Sequence, residues 1–190
     1  MSRFPQVLLI LTFIPLCWLG MMAAHECGHV MAAICSGGTV TKIVLHPFAI
    51  SRTDIDPNPH PLLVVWGGPL LGVLLPLGIW GLFRLAQWPL DFLPRFWAGF
   101  CLIANGAYIG IGSFDAIGDA REMLLHKTPL WSMWLFGVLT VPCGFAVWHR
   151  LGTSFGLGSA AGHVDRRAVI SSVLLFVTMT TLLGLLCPTS

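Results

Sequence analysis

Long apolar runs alternate with short polar segments along the 190 residues of this chain. The runs cover about residues 6–34, 61–85, 92–111, 130–149 and 168–186. A helix rises 1.5 Å per residue, so about 20 apolar residues cross the roughly 30 Å hydrocarbon layer of a bilayer. The pattern therefore predicts an all-α polytopic membrane protein with about five transmembrane helices, built as a single domain over residues 1–190.

The segment between the first two apolar runs has a different pattern. The glycine-rich residues 36–38 end the first helix, and the β-branched residues 39–45 predict a strand. Pro47 ends that strand, and residues 48–53 can return as a second one. We expect a short β-hairpin here, with an ordinary loop as the alternative. Residues 54–61, which contain several prolines, predict a loop that leads into the second span.

Composition supports the membrane prediction and excludes other classes. The chain is 56% hydrophobic and only 9% charged, which is too apolar for a soluble domain of this size. Its net charge of +2, without a basic cluster, excludes a nucleic-acid-binding protein. We therefore expect a multi-pass protein of the lipid bilayer, located in the cell membrane, and the sequence does not predict its oligomeric state.

The first apolar run contains the HExxH motif, His25-Glu26-Cys27-Gly28-His29. Histidines four residues apart on a helix face the same side and can share one metal ion. Glu26 can then act as general base toward water. Polar side chains cost roughly 2.5 to 3.5 kcal/mol each at the centre of a bilayer, so this group predicts a functional site. Cys27 points away from the histidine face, so we do not expect it to be a ligand.

A catalytic zinc site has three protein ligands and one open position, so the motif needs a further ligand from elsewhere. The acidic, glycine-rich residues 112–122 directly follow the third apolar run and can be held at membrane depth. Either Asp115 or Asp119 in this stretch is the best candidate. The remaining candidates in the first half of the chain are His46, His60, Asp54 and Asp56.

The order of these motifs resembles the site-2 protease family of intramembrane zinc metalloproteases. The resemblance rests on the HExxH motif, on Gly67-Gly68-Pro69-Leu70 in the second span, and on Asn105 followed by an aspartate motif. It covers roughly residues 8–125. It implies a core over about residues 6–125, accessory spans over about residues 130–190, and hydrolysis of peptide bonds in membrane-associated protein or peptide substrates.

The same resemblance implies roles for individual residues. Asp119 and the five residues after it match the family's aspartate pattern better than Asp115 does, so His25, His29 and Asp119 become the expected Zn²⁺ ligands, with Glu26 as the catalytic residue. Family members pair an extended substrate segment with a strand near the active site, which gives the hairpin a role. Asn105 is implied to help hold that segment.

Two other functions remain open at this point. A non-proteolytic membrane protein could keep zinc as a structural or regulatory site, and the imperfect aspartate motif favours that alternative. A metal transporter would need polar residues along several spans, whereas here they concentrate on the first span and one loop. If the chain is a protease, water must reach the metal, so we expect a polar cleft between the first three spans. The glycine pairs 68/72 and 106/110 predict close helix packing around the first span.

Overall fold

The computed structural model describes residues 3–48 and 50–186 and is mainly helical. Its helices are α1 (Phe4–Cys35), α2 (Pro61–Leu85), α3 (Phe92–Asp115), α4 (Gly118–Leu125), α5 (Leu130–Trp148) and α6 (Arg166–Leu186). Within this described part, every helix except the short α4 is long and apolar enough to cross a membrane, which makes five candidate spans. The predicted fold class is confirmed, and the chain is consistent with a membrane protein.

The third span extends further than its hydropathy predicts. We expected it to end near residue 111, but α3 continues to Asp115. It stops where Ala116 adopts a left-handed conformation with φ of 49°, which breaks the helical hydrogen-bond pattern and turns the chain into α4. This turn places α4 beside the end of α3 and close to the start of α2.

The predicted hairpin is present between α1 and α2, but its second strand begins later than expected. Strand β1 (Val40–Val44) pairs antiparallel with β2 (Arg52–Ile55). The second strand, expected over residues 48–53, is confirmed only from Arg52 onward, because Phe48 belongs to a turn and pairing starts where Arg52 lies opposite Val44. Residue 49 of that range lies outside the described residues. Asp54, expected in the following loop, consequently lies in β2.

The helices pack around α1 and α3. Helix α1 contacts α2, α6 and α3, and the most extensive helix pair is α3 with α5. A Cβ added at Gly110 of α3 would lie 3.3 Å from the Cα of Gly137 in α5. The glycines of α3 therefore permit close packing as predicted, but against α5 and not against α1.

A small apolar cluster holds α4 in place. Its buried members come from four helices and are Val65 of α2, Ile109 of α3, Ala120 and Met123 of α4, and Met133 of α5. Because Ala120 and Met123 face this cluster, the first turn of α4 is fixed next to α2 and α3. Asp119 lies in that first turn.

Candidate metal centre

Three side chains converge between α1 and α4. His25 and His29 are buried one turn apart on α1, and their Nε2 atoms lie 3.1 Å from each other. Asp119 Oδ2 lies 2.7 Å from His25 Nε2 and 3.2 Å from His29 Nε2. The structure therefore brings together three residues that the sequence nominated, and this group could hold a metal ion.

The outer nitrogen of each imidazole has its own acceptor. His29 Nδ1 donates to the backbone carbonyl of Val64 at 2.8 Å. His25 Nδ1 lies 2.7 Å from Asn105 Oδ1, and the amide nitrogen of Asn105 donates to the carbonyl of Cys101 at 2.9 Å. The bond to Cys101 orients the amide of Asn105 so that its oxygen faces His25. His25 Nδ1 therefore carries a proton and donates it to that oxygen. In their neutral forms both histidines thus turn an unprotonated Nε2 toward Asp119.

The three converging atoms are all hydrogen-bond acceptors when the histidines are neutral. Two nitrogen lone pairs and a carboxylate oxygen repel one another at these separations unless a proton or a cation lies among them. Burial by itself raises the pKa of Asp119, but when the histidines carry such a proton, their hydrogen bonds and charge outweigh burial and hold that pKa well below its usual value. Asp119 is therefore ionised at neutral pH and available as an anionic ligand.

The other predicted ligands lie elsewhere. Asp115 is exposed at the end of α3, and His60 is exposed at the start of α2. His46 accepts a hydrogen bond from the backbone of Phe48, and Asp54 pairs with Arg52. Asp56 is exposed after β2. Of these candidates and Asp119, only Asp119 joins the histidines.

Glu26 is buried beside His25, His29 and Asp119 and has a partner in the hairpin. The hydroxyl of Thr53 in β2 donates to Glu26 Oε2 at 2.7 Å. Both residues line a cavity of about 1150 Å³ that also reaches His25, His29 and Asp119. Its walls come from α1, the hairpin, α2, α3 and α4, so a cleft is present between the first three spans and the hairpin and α4 complete it. Its lining is mostly apolar, however, and not polar as expected.

Glycines allow α1 and α2 to approach closely at the motif. A Cβ added at Gly28 would overlap the carbonyl oxygen of Gly67. A Cβ added at Gly68 would overlap His29 Nε2 and would lie 2.8 Å from His25 Nε2. The sequence predicted that Gly68 permits close helix packing, and its missing side chain also leaves room for the Nε2 edge of both imidazoles.

Some residues of the centre received no role, or a different one, from the sequence. Asn105 was expected to help hold a substrate segment; it lines the cavity, and it also bonds His25, a contact that the sequence did not predict. Thr53 and Val64 were not nominated at all. Their contacts join residues 27 and 35 positions apart, so no local motif signals them.

The sequence contains three motifs that predicted a functional site. Each motif supplies residues to the same centre, namely the HExxH segment on α1, Gly67 and Gly68 on α2, and Asp119 on α4. Comparisons of the chain with protein-family models, with curated proteins and with solved structures found no match.

Proposed function

We propose that this chain is an intramembrane zinc metalloprotease of the site-2 protease type, which hydrolyses peptide bonds of membrane-associated substrates in the cell membrane. One observation carries the proposal. The two histidines of an HExxH motif, a third ligand from a distant helix and the glutamate of the motif all border one cavity. Five helices long enough to cross a membrane surround that cavity or pack against its walls.

The donor set fits a zinc ion. Two imidazole nitrogens and one carboxylate oxygen are ligands typical of catalytic zinc, which keeps a fourth position open. In a tetrahedral site with bonds of about 2.0 to 2.1 Å, ligand atoms stand roughly 3.3 Å apart. The separations of 2.7, 3.1 and 3.2 Å among His25, His29 and Asp119 need only a small outward movement to reach this value. The Nδ1 atom of each histidine also forms a hydrogen bond with a carbonyl oxygen. Zinc-binding histidines typically have such a partner at the nitrogen that does not bind the metal.

Glu26 is the proposed proton carrier of the reaction. A zinc ion bound by the three ligands would act as a Lewis acid that polarises the carbonyl of the peptide bond. It would also lower the pKa of a bound water toward neutrality. Glu26 then accepts a proton from the attacking water and returns it to the leaving amine. Thr53 donates to one carboxylate oxygen, Oε2, so it fixes the orientation of the carboxylate and leaves Oε1 for the proton.

The hairpin is the proposed platform for substrate. A helical peptide hides its carbonyls in internal hydrogen bonds, so it must unwind before a peptide bond can be attacked. An extended peptide can add to the free edge of a strand. Strand β2 carries Thr53, which touches Glu26, so a peptide beside β2 would run past the proposed base. The cavity of about 1150 Å³ is large enough to hold several side chains of such a segment.

The decisive experiment separates catalysis from metal binding. We expect Glu26→Gln to keep its zinc and to lose cleavage of single-span membrane peptides, measured by mass spectrometry on purified protein in liposomes. Glu122→Gln is a matched control, since it neutralises an exposed carboxylate that lines the same cavity. Cleavage by Glu26→Gln at the rate of the unchanged protein would contradict the mechanism.

A structural zinc site is the second candidate, and one observation favours it. Helix α4 packs on α2 and α3 but meets α1 mainly through Asp119 and the two histidines, so a metal would clip α4 to α1. On this alternative, chelation lowers the melting temperature and neither the unchanged protein nor Glu26→Gln cleaves any peptide. The experiment above therefore distinguishes the two functions.

A further inference from the structure

Tyr108, the single tyrosine of the chain, lies beside the proposed metal centre and has no role in the function above. It lines the same cavity as the ligands and follows Asn105 by three residues on α3. Residues three apart on a helix are neighbours on its surface. Asn105 bonds His25, and the ring of Tyr108 meets the His25 ring edge to face, with centroids 5.9 Å apart. Helix α3 therefore contacts His25 through two consecutive positions of one face.

The hydroxyl of Tyr108 reaches the other side of the centre. It accepts a hydrogen bond from the backbone N–H of Asp119 at 3.0 Å. The first N–H groups of a helix lack partners within the helix, and α4 has no side-chain cap from its own N-cap residue, Ile117. Tyr108 of α3 thus provides the hydrogen-bond acceptor for one of these N–H groups of α4. The bond is made at Asp119 itself, so it fixes the backbone from which the carboxylate extends toward the histidines.

Gly118 makes this contact possible. Its φ of +52° lies in the left-handed region, which favours glycine. A Cβ added there would overlap the Tyr108 hydroxyl, and the Cζ atom of the ring would lie 3.0 Å away. The hydroxyl therefore occupies the space that a side chain at position 118 would need.

We propose that Tyr108 is a positioning residue of the proposed metal centre, which holds Asp119 through its hydroxyl and His25 through the edge-to-face contact of the two rings. The inference rests on the proposed metal centre and adds to it the interaction that sets the approach of the third ligand. Without the hydroxyl, the backbone N–H of Asp119 loses its partner, and the packing of Ala120 and Met123 alone must hold the carboxylate within the roughly 0.2 Å that metal–ligand distances tolerate.

The first test measures metal affinity directly. We expect Tyr108→Phe to bind zinc roughly 10- to 100-fold more weakly in a competition titration with a chromophoric chelator, which is the usual effect of losing an outer-shell partner. Trp134→Phe is the control, because it removes another hydrogen bond to α3, from its indole to Ser113 at 3.1 Å, away from the centre. We also expect cobalt bound to Tyr108→Phe to show an altered visible absorption spectrum, which a general loss of stability would not produce.

The second test uses the contact between Tyr108 and Gly118. We expect Gly118→Ala to weaken zinc binding strongly in the unchanged background and much less in the Tyr108→Phe background, where the overlapping hydroxyl is gone. Additive effects on affinity would overturn the proposal. So would unchanged zinc affinity in Tyr108→Phe with a lower kcat alone, since the hydroxyl would then act on substrate. If the wild-type protein bound no zinc, that result would instead refute the proposed function.

Discussion

Replacing Gly68 by alanine should disrupt the centre although none of the proposed ligands is substituted. The added Cβ would overlap His29 Nε2 and would lie 2.5 Å from His29 Cε1 and 2.8 Å from His25 Nε2. Ordinary contacts begin near 3.4 Å, so the rings must retreat by about 0.6 to 1.0 Å. Metal–ligand distances tolerate only about 0.2 Å, so at least one imidazole must leave its bonding position. Losing one of three protein ligands should weaken zinc binding by more than the roughly 100-fold upper effect of an outer-shell change.

The measurement compares two alanine substitutions in the same helix. Gly78→Ala is the matched control, because a Cβ there meets no described atom within 4 Å. We expect purified Gly78→Ala to retain zinc at the stoichiometry of the unchanged protein and Gly68→Ala to have lost it, by elemental analysis after gel filtration in detergent. Circular dichroism verifies that both variants keep their helices. Equal zinc content and affinity in the two variants would refute the steric reasoning.

The remaining predictions address single contacts of the centre. We expect Asp119→Ala to abolish zinc binding and Asp115→Ala to leave it unchanged, as measured by metal content; the reverse result would reassign the third ligand. Thr53→Val should keep zinc but lower kcat roughly 10-fold, because the carboxylate of Glu26 loses a hydrogen bond worth about 1.5 to 3 kcal/mol. A kcat equal to that of the wild-type protein would contradict the orienting role of Thr53. Asn105→Leu should weaken zinc affinity roughly 10- to 100-fold in a chelator titration, since His25 loses the acceptor for its Nδ1 proton; an affinity equal to that of the unchanged protein would exclude this outer-shell role.

The fold and the centre differ in how far local pattern determines them. Hydropathy locates the five spans because each must be apolar over its whole length, and the i, i+4 spacing places His25 and His29 on one face without any tertiary information. The choice of Asp119 over Asp115 depends on where the chain turns after α3, and no hydropathy signal marks that turn. The start of β2 at Arg52 depends on pairing with Val44, which a propensity count over residues 48–53 cannot register.

The strand pairing of the hairpin restricts where residues can be inserted in its turn. Successive side chains of a strand point to opposite faces, and Thr53 of β2 lies between Arg52 and Asp54. If β2 slipped by one residue, one of those charged side chains would take the face that meets Glu26. A guanidinium there would pair with the glutamate and neutralise it, whereas a carboxylate would repel it. Insertions in the turn are therefore compatible with the proposed chemistry only where the pairing of Thr53 with Ile43 is kept.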